Sequence, residues 1–227
     1  MNVFINIRRY LAVKDVNCTV LCRIKTMGRL ITLSGLDGSG KTTQCMSLKT
    51  IMAEMGLSVN VIHFKNVNSF PYLLKAKRNA QQFIDLNKIT VLDRQRNILS
   101  ACIFCEKAKD LLSVSLNEYD LTIVDRYRES ALCYHYLRGE LFEELYKIYE
   151  QLPAADLSVF LEVSPDRCYE RLIKRAELSV YETKAQLECA YFFYHTYCKS
   201  LWRVDASLPI NEITQLITTK VLKNCFS

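Results

Sequence analysis

Apolar residues recur along this chain in two alternating rhythms. Short, nearly continuous runs at Leu30–Ser34, Val59–Phe64, Leu121–Val124, Leu157–Val163 and Leu201–Val204 have the length and character of buried strands. Between them, apolar positions three and four apart predict helices over residues 43–55, 70–85, 91–112, 128–150, 165–175, 180–200 and 209–224, with Gly56 stopping the first. Strands alternating with helices predict the α/β class, a parallel sheet covered on both faces. The chain has 227 residues, only six glycines and four prolines, and no internal repeat or low-complexity tract, so one domain over residues 27–227 is expected.

Composition narrows the picture a little. Charged residues make up 24% of the chain and apolar ones 50%, which is ordinary globular usage. The net charge of +6 suits a basic cleft for phosphates but lacks the dense clustering of a nucleic-acid binder. No apolar run reaches about 18 residues, so no membrane partner is expected. The ten cysteines are scattered through helix and strand patterns rather than along a loop-rich framework, which points to reduced thiols and the cytoplasm. Cys18, Cys22, Cys102 and Cys105 could be combined as four zinc ligands, but the second pair sits in the apolar stretch Ile98–Leu112, where thiols pack as small hydrophobes. Met27 stands just ahead of the first strand, so residues 1–26 are read as an N-terminal extension, a poorly ordered or surface-packed tail. The extension is basic (Arg8, Arg9, Lys14, Arg23, Lys25, with Asp15 its sole acid), which leaves an organelle transit peptide open. It lacks the apolar core and cleavage site of a secretory signal.

Candidate chemistry changes the picture more. Gly35-Leu36-Asp37-Gly38-Ser39-Gly40-Lys41-Thr42 matches the spacing of a complete phosphate-binding loop and lies between a strand and a helix, the context that motif requires. Backbone N–H groups from Gly35, Gly38, Ser39, Gly40, Lys41, Thr42 and Thr43 would surround a triphosphate at a helix N-terminus, Lys41 would reach its outer phosphates, and Thr42 would sit on Mg²⁺. The second signal is Asp125-Arg126-Tyr127, directly after an apolar strand. Ligands of parallel sheets gather at strand carboxyl ends, so Asp125 should face the loop, ordering Mg²⁺ or positioning an attacking oxygen. Arg126 offers a planar fork for a second phosphate.

These segments, in order, resemble the thymidylate kinases, phosphate-loop nucleoside-monophosphate kinases. The resemblance runs from Gly28 to the C-terminus through the phosphate loop with Thr43-Gln44, then Asp125-Arg126-Tyr127 with Ser130 and Tyr134. It continues through Pro153 to Leu157, Leu161-Glu162-Val163-Ser164-Pro165, Glu170-Arg171, Arg175-Ala176-Glu177-Leu178 with Tyr181-Glu182, and Val204-Asp205-Ala206-Ser207. It implies a P-loop NTPase fold with a lid around residues 174–184, ATP and a nucleoside monophosphate (dTMP first) as substrates, Mg²⁺ as cofactor, and a homodimer. It also implies that Asp37 contacts the acceptor sugar, Arg126 holds the acceptor phosphate, Ser130 and Tyr134 line the acceptor site, and Arg175 is a catalytic cation of the lid alongside Lys41 and Asp125.

The chain departs from the family pattern on the acceptor side and in the lid. After the second strand it has His63-Phe64-Lys65-Asn66, so Lys65 would replace an arginine as a point charge. Arg94, in Leu92-Asp93-Arg94, matches the arginine that reads the base, but the stretch from there to Asp125 is longer than usual. Ser179-Val180 replaces an aspartate–arginine pair, and His135 replaces a glutamine. Tyr127, Tyr134 and Tyr136 could stack a base or fill the core, and the second aromatic group, Tyr191, Phe192, Phe193, Tyr194 and Tyr197, suits packing or a subunit interface.

Three functions follow from these residues: a nucleoside-monophosphate kinase, a kinase for an unphosphorylated nucleoside or other small acceptor with Asp125 as base, and a nucleotide sensor without transfer. Arg126 and Lys65 favour an acceptor that already carries phosphate. A GTPase is disfavoured because Asn87-Lys88-Ile89-Thr90 does not end in the aspartate that reads guanine.

Overall fold

A computed structural model describes residues 27–64, 93–139, 143–175, 178–179 and 182–226. Five parallel strands form one sheet in the order β2-β3-β1-β4-β5: β1 Arg29–Gly35, β2 Val59–Ile62, β3 Leu121–Asp125, β4 Leu157–Glu162 and β5 Trp202–Asp205. The three central strands are buried on both faces, which is why they read as continuous apolar runs; every residue of β3 is buried, and so is every residue of β1 after Arg29. Ile31, Leu33, Ile123, Val159 and Leu161 are fully buried, each worth about 1.5–3 kcal/mol of burial free energy. Register pairs Leu33 with Asp125 and Gly35 with Leu161, so the carboxyl ends of β1, β3 and β4 meet at one edge. The site is built there.

Seven helices of the described residues flank the sheet: α1 Lys41–Glu54, α2 Asp93–Glu118, α3 Arg128–Leu137, α4 Glu143–Tyr149, α5 Pro165–Leu172, α6 Lys184–Tyr197 and α7 Ile210–Cys225. In α1 the buried residues Lys41, Gln44, Cys45, Leu48 and Met52 form one stripe. Gln44 fastens it to α7, donating to Ile210 O at 3.1 Å and accepting from Thr214 Oγ1 at 2.8 Å.

Three expectations need correction. The single helix expected over 128–150 is two, because Gly139 takes a left-handed φ of +71° and turns its N–H back to Tyr136 O at 2.8 Å, ending α3. α2 runs six residues past 112, since Ser115 and Leu116 still face the sheet; Ser115 Oγ lies 2.6 Å from Thr122 Oγ1. α6 begins at Lys184 rather than 180, where Thr183 caps it by accepting from Gln186 N. The helix expected over 70–85 lies outside the described residues. Strand ends shift by one or two residues, with β2 ending at Ile62 and β5 running Trp202–Asp205.

No helix among the described residues is long and apolar enough to cross a membrane. Seven of the eight described cysteines are buried free thiols, and burial pushes Cys102 up to about 11 and Cys105 up to about 12, so they stay protonated.

Candidate active site

β1 delivers the phosphate loop straight into α1. Gly40 sits at the helix N-cap and no side chain caps the helix, so the backbone donors of its first turn face the loop's mouth. Gly38 has φ +83°, and a Cβ there would lie 2.7 Å from the carbonyl oxygen of Cys168, so α5 packs against the loop as only glycine allows. Lys41 is buried, and its ammonium donates to Gly35 O (3.0 Å), Leu36 O (2.7 Å) and Ser39 Oγ (3.4 Å). Burial and then Arg126 push it down to about 8, with Asp37 and Asp125 acting in the opposite sense. A triphosphate would supply the missing negative charge. Thr42 and Thr43 are exposed at the mouth.

Asp125 ends β3 and is almost fully buried. Its Oδ2 accepts from Thr42 Oγ1 at 2.6 Å and lies 3.3 Å from His63 Nδ1. Its Oδ1 is buried with no hydrogen-bond partner among the described residues. A buried carboxylate oxygen without a partner is costly, and Asp125 already holds the Thr42 hydroxyl of the loop through its other oxygen, so the two residues together suit a hard cation.

The next residue, Arg126, has φ +72°, a left-handed backbone uncommon for a side chain with a Cβ, and its N–H donates to Leu33 O at 3.0 Å. This turn aims the guanidinium back across the sheet edge to pair with Asp37. Tyr134, the seventh residue of α3, donates to Asp37 Oδ2 at 3.1 Å, and its ring lies under the guanidinium, 5.7 Å away. Burial pushes the Asp37 carboxyl up, but Arg126 and Lys41, with hydrogen bonds from Arg126 and Tyr134, hold it below the usual carboxylate range. Asp37, Arg126, Ser130, Cys133 and Tyr134 line a cavity of about 20 Å³, and Ser130 Oγ is 3.0 Å from Tyr194 Oη.

The site therefore has two halves, the phosphate loop with Thr42 and Asp125, and beside it a cavity bordered by the Arg126 guanidinium. Residues 33–217 match the family model for thymidylate kinase. The chain belongs to the thymidylate kinase family. It is 30% identical over 201 residues to the thymidylate kinase of Leptospira borgpetersenii, covering 86% of this chain and 93% of that protein. It is 29% identical over 204 residues to that of Arabidopsis thaliana (88% and 73%), and 28% identical over 161 residues to the probable thymidylate kinase of Pyrococcus abyssi (71% and 78%).

Within this thymidylate kinase fold, the loop residues, Asp37, Asp125, Arg126, Ser130 and Tyr134 come together as the sequence suggests. Others do not. Arg94 pairs with Glu144 on α4 and is not among the residues lining the cavity. His135 is buried away from the cavity, between Tyr149 Oη (3.1 Å) and Arg138 (2.9 Å). Arg175 is exposed, 3.4 Å from Glu182, whose other oxygen accepts from Ser179 N at 2.6 Å. Lys65 lies outside the described residues. Of the first aromatic group Tyr134 alone reaches the site; Tyr127 donates to Pro153 O at 3.0 Å, and Tyr136 packs on Phe193 and Tyr197.

Two contacts were not read from the sequence. Arg171 on α5 donates to Gly38 O (3.2 Å) and Ala206 O (3.3 Å), tying the phosphate loop to the turn after β5. It lies in a segment that carried the family resemblance, but only the fold shows what it holds. His63 reaches Asp125 because β2 pairs with β3, which no local spacing reveals.

Proposed function

We propose that this chain transfers the γ-phosphoryl group of ATP to dTMP, giving ADP and dTDP. The observation that carries this reading is Arg126, held at the end of β3 between the phosphate loop and an acidic, tyrosine-lined cavity. A phosphorylated acceptor fits there: its phosphate takes the guanidinium fork and releases Asp37 toward the sugar. The cavity now has room for about one water, so the Asp37–Arg126 pair must part as the acceptor enters.

Loop N–H groups and Lys41 hold the donor's β- and γ-phosphates. Thr42 and the free Oδ1 of Asp125 are the residues that would hold Mg²⁺, which when bound neutralises charge developing on the phosphate oxygens. An acceptor phosphate oxygen attacks the γ-phosphorus in line, the bond from that phosphorus to the β–γ bridging oxygen breaks, and ADP leaves with the electron pair. Arg175, freed from Glu182 as the lid closes, adds positive charge at the equatorial oxygens. Lys65 adds a point charge on the acceptor side, Arg94 reaches that side only by leaving Glu144, the active unit is a cytoplasmic homodimer, and residues 1–26 stand outside the catalytic domain.

Asp125 Oδ1, without a partner among the described residues, also favours a second reading, a base acting on the hydroxyl of an unphosphorylated nucleoside. Arg126→Ala separates the two. For a monophosphate acceptor, kcat/KM should fall about 30- to several-thousand-fold, a loss of about 2–5 kcal/mol, mostly through acceptor KM and with ATP affinity within a few-fold. Arg126→Lys should recover little, because a lysine lacks the fork. Equal damage to nucleoside and monophosphate acceptors would instead favour the second reading.

A further inference from the structure

We infer that His63 is a positioning residue that turns the Asp125 carboxylate so that Oδ1 faces the metal; this rests on the reading of Asp125 as a metal-holding residue. β2 is an edge strand paired in parallel with β3, and Ile62 stands opposite Val124. The next residues along the two strands, His63 and Asp125, therefore face each other at the sheet's carboxyl edge. There the imidazole Nδ1 lies 3.3 Å from Asp125 Oδ2. The carboxylate favours the tautomer with its proton on Nδ1, since two facing lone pairs repel.

Thr42 approaches the same oxygen from the phosphate loop, at 2.6 Å. Oδ2 is thus engaged from two elements, α1 and the end of β2, while Oδ1 is buried and has no partner among the described residues. Such one-sided engagement fixes the plane of a carboxylate. It commits the free oxygen to one direction, as outer-shell partners do around metal ligands generally.

His63 is itself held in place. Phe64 beside it is buried and packs edge-on against Phe104, with ring centres 5.1 Å apart, and stacks on Tyr127 at 6.4 Å. Tyr127 lies two residues past Asp125, so one aromatic contact fastens both sides of the histidine–aspartate pair. The histidine side chain is about one-third exposed, which leaves its outer edge toward solvent and its Nδ1 toward the carboxylate.

The test titrates Mn²⁺, in place of Mg²⁺, into the protein saturated with ADP, reading free Mn²⁺ by electron paramagnetic resonance. The variants are His63→Ala, His63→Leu (which keeps bulk without the N–H), His63→Asn (whose amide can occupy the Nδ1 position) and Asp125→Asn. His63→Ala and His63→Leu should weaken Mn²⁺ about 10-fold or more, with metal-free ADP affinity unchanged, and His63→Asn should recover most of the loss. If Asp125→Asn weakens Mn²⁺ but His63→Leu stays within two-fold of the parent, the positioning role is overturned and the metal-holding role of Asp125 stands. If His63→Asn is as weak as His63→Leu, the ring acts by packing and the inference fails. If Asp125→Asn binds Mn²⁺ like the parent, both assignments fall together.

Discussion

Individual side chains divide the labour at this site between holding charge and redirecting it. Lys41 already donates to two loop carbonyls and a hydroxyl, so in the proposed complex donor phosphates would replace bonds rather than fill a void. Lys41→Ala should therefore cost about 10²–10³ in turnover, as loss of one charge-stabilising group does, while thermal unfolding shows the fold retained; near-parental turnover would remove the loop from the catalytic donor site. Asp37 gives a pH signature. Its folded pKa lies below its unfolded value, so its stabilising contribution is present above the usual carboxylate pKa of about 4 and is lost as pH falls through the lower, folded value. Melting temperature followed from pH 7 down to 3 should drop more steeply at the acid end for the parent than for Asp37→Asn. Parallel curves would mean that the Arg126 pair contributes nothing to the folded state.

At the scale of elements, the phosphate loop was legible because its glycines, lysine and hydroxyl sit at fixed offsets between a strand and a helix, and the structure repeats that order. Gly38 shows how tightly it is packed: Gly38→Ala combines a left-handed backbone with a Cβ 2.7 Å from the Cys168 carbonyl, a backbone atom of α5 that cannot swing aside. Its ATP affinity should fall at least 10-fold, measured by calorimetry, with unfolding at a lower temperature; unchanged ATP binding would show that α5 yields. The strands were legible too, since burial on both faces leaves short, continuous apolar runs too brief for a helix. Less visible were the break at Gly139, hidden inside a continuous helical rhythm, and the tail of α2, whose Ser115 looks polar yet packs against Thr122 of β3. Contacts between elements were least legible. Arg171 on Gly38 and His63 on Asp125 depend on strand order, and Arg94 finds Glu144 through the packing of α2 on α4.

Across the whole molecule, one parallel sheet brings the donor loop, a carboxylate and an arginine to a single edge, and the family match over residues 33–217 fits that plan. α6 leaves Phe192 and Tyr197 half-exposed, beside the buried Phe193 and Tyr194. Their exposure supports the proposed homodimer, so light scattering should give twice the chain mass of 26.3 kDa, and Phe192→Glu should shift it toward the monomer. A parental mass that stays at one chain would refute that assembly. The proposed reaction is read most directly as acceptor-dependent ADP release from ATP and Mg²⁺ across a panel of nucleosides and monophosphates, with the product resolved by chromatography. dTMP should give the highest kcat/KM, with one dTDP formed per ADP and thymidine at background. ADP release driven by thymidine rather than dTMP, or by no acceptor while ATP still binds, would contradict it.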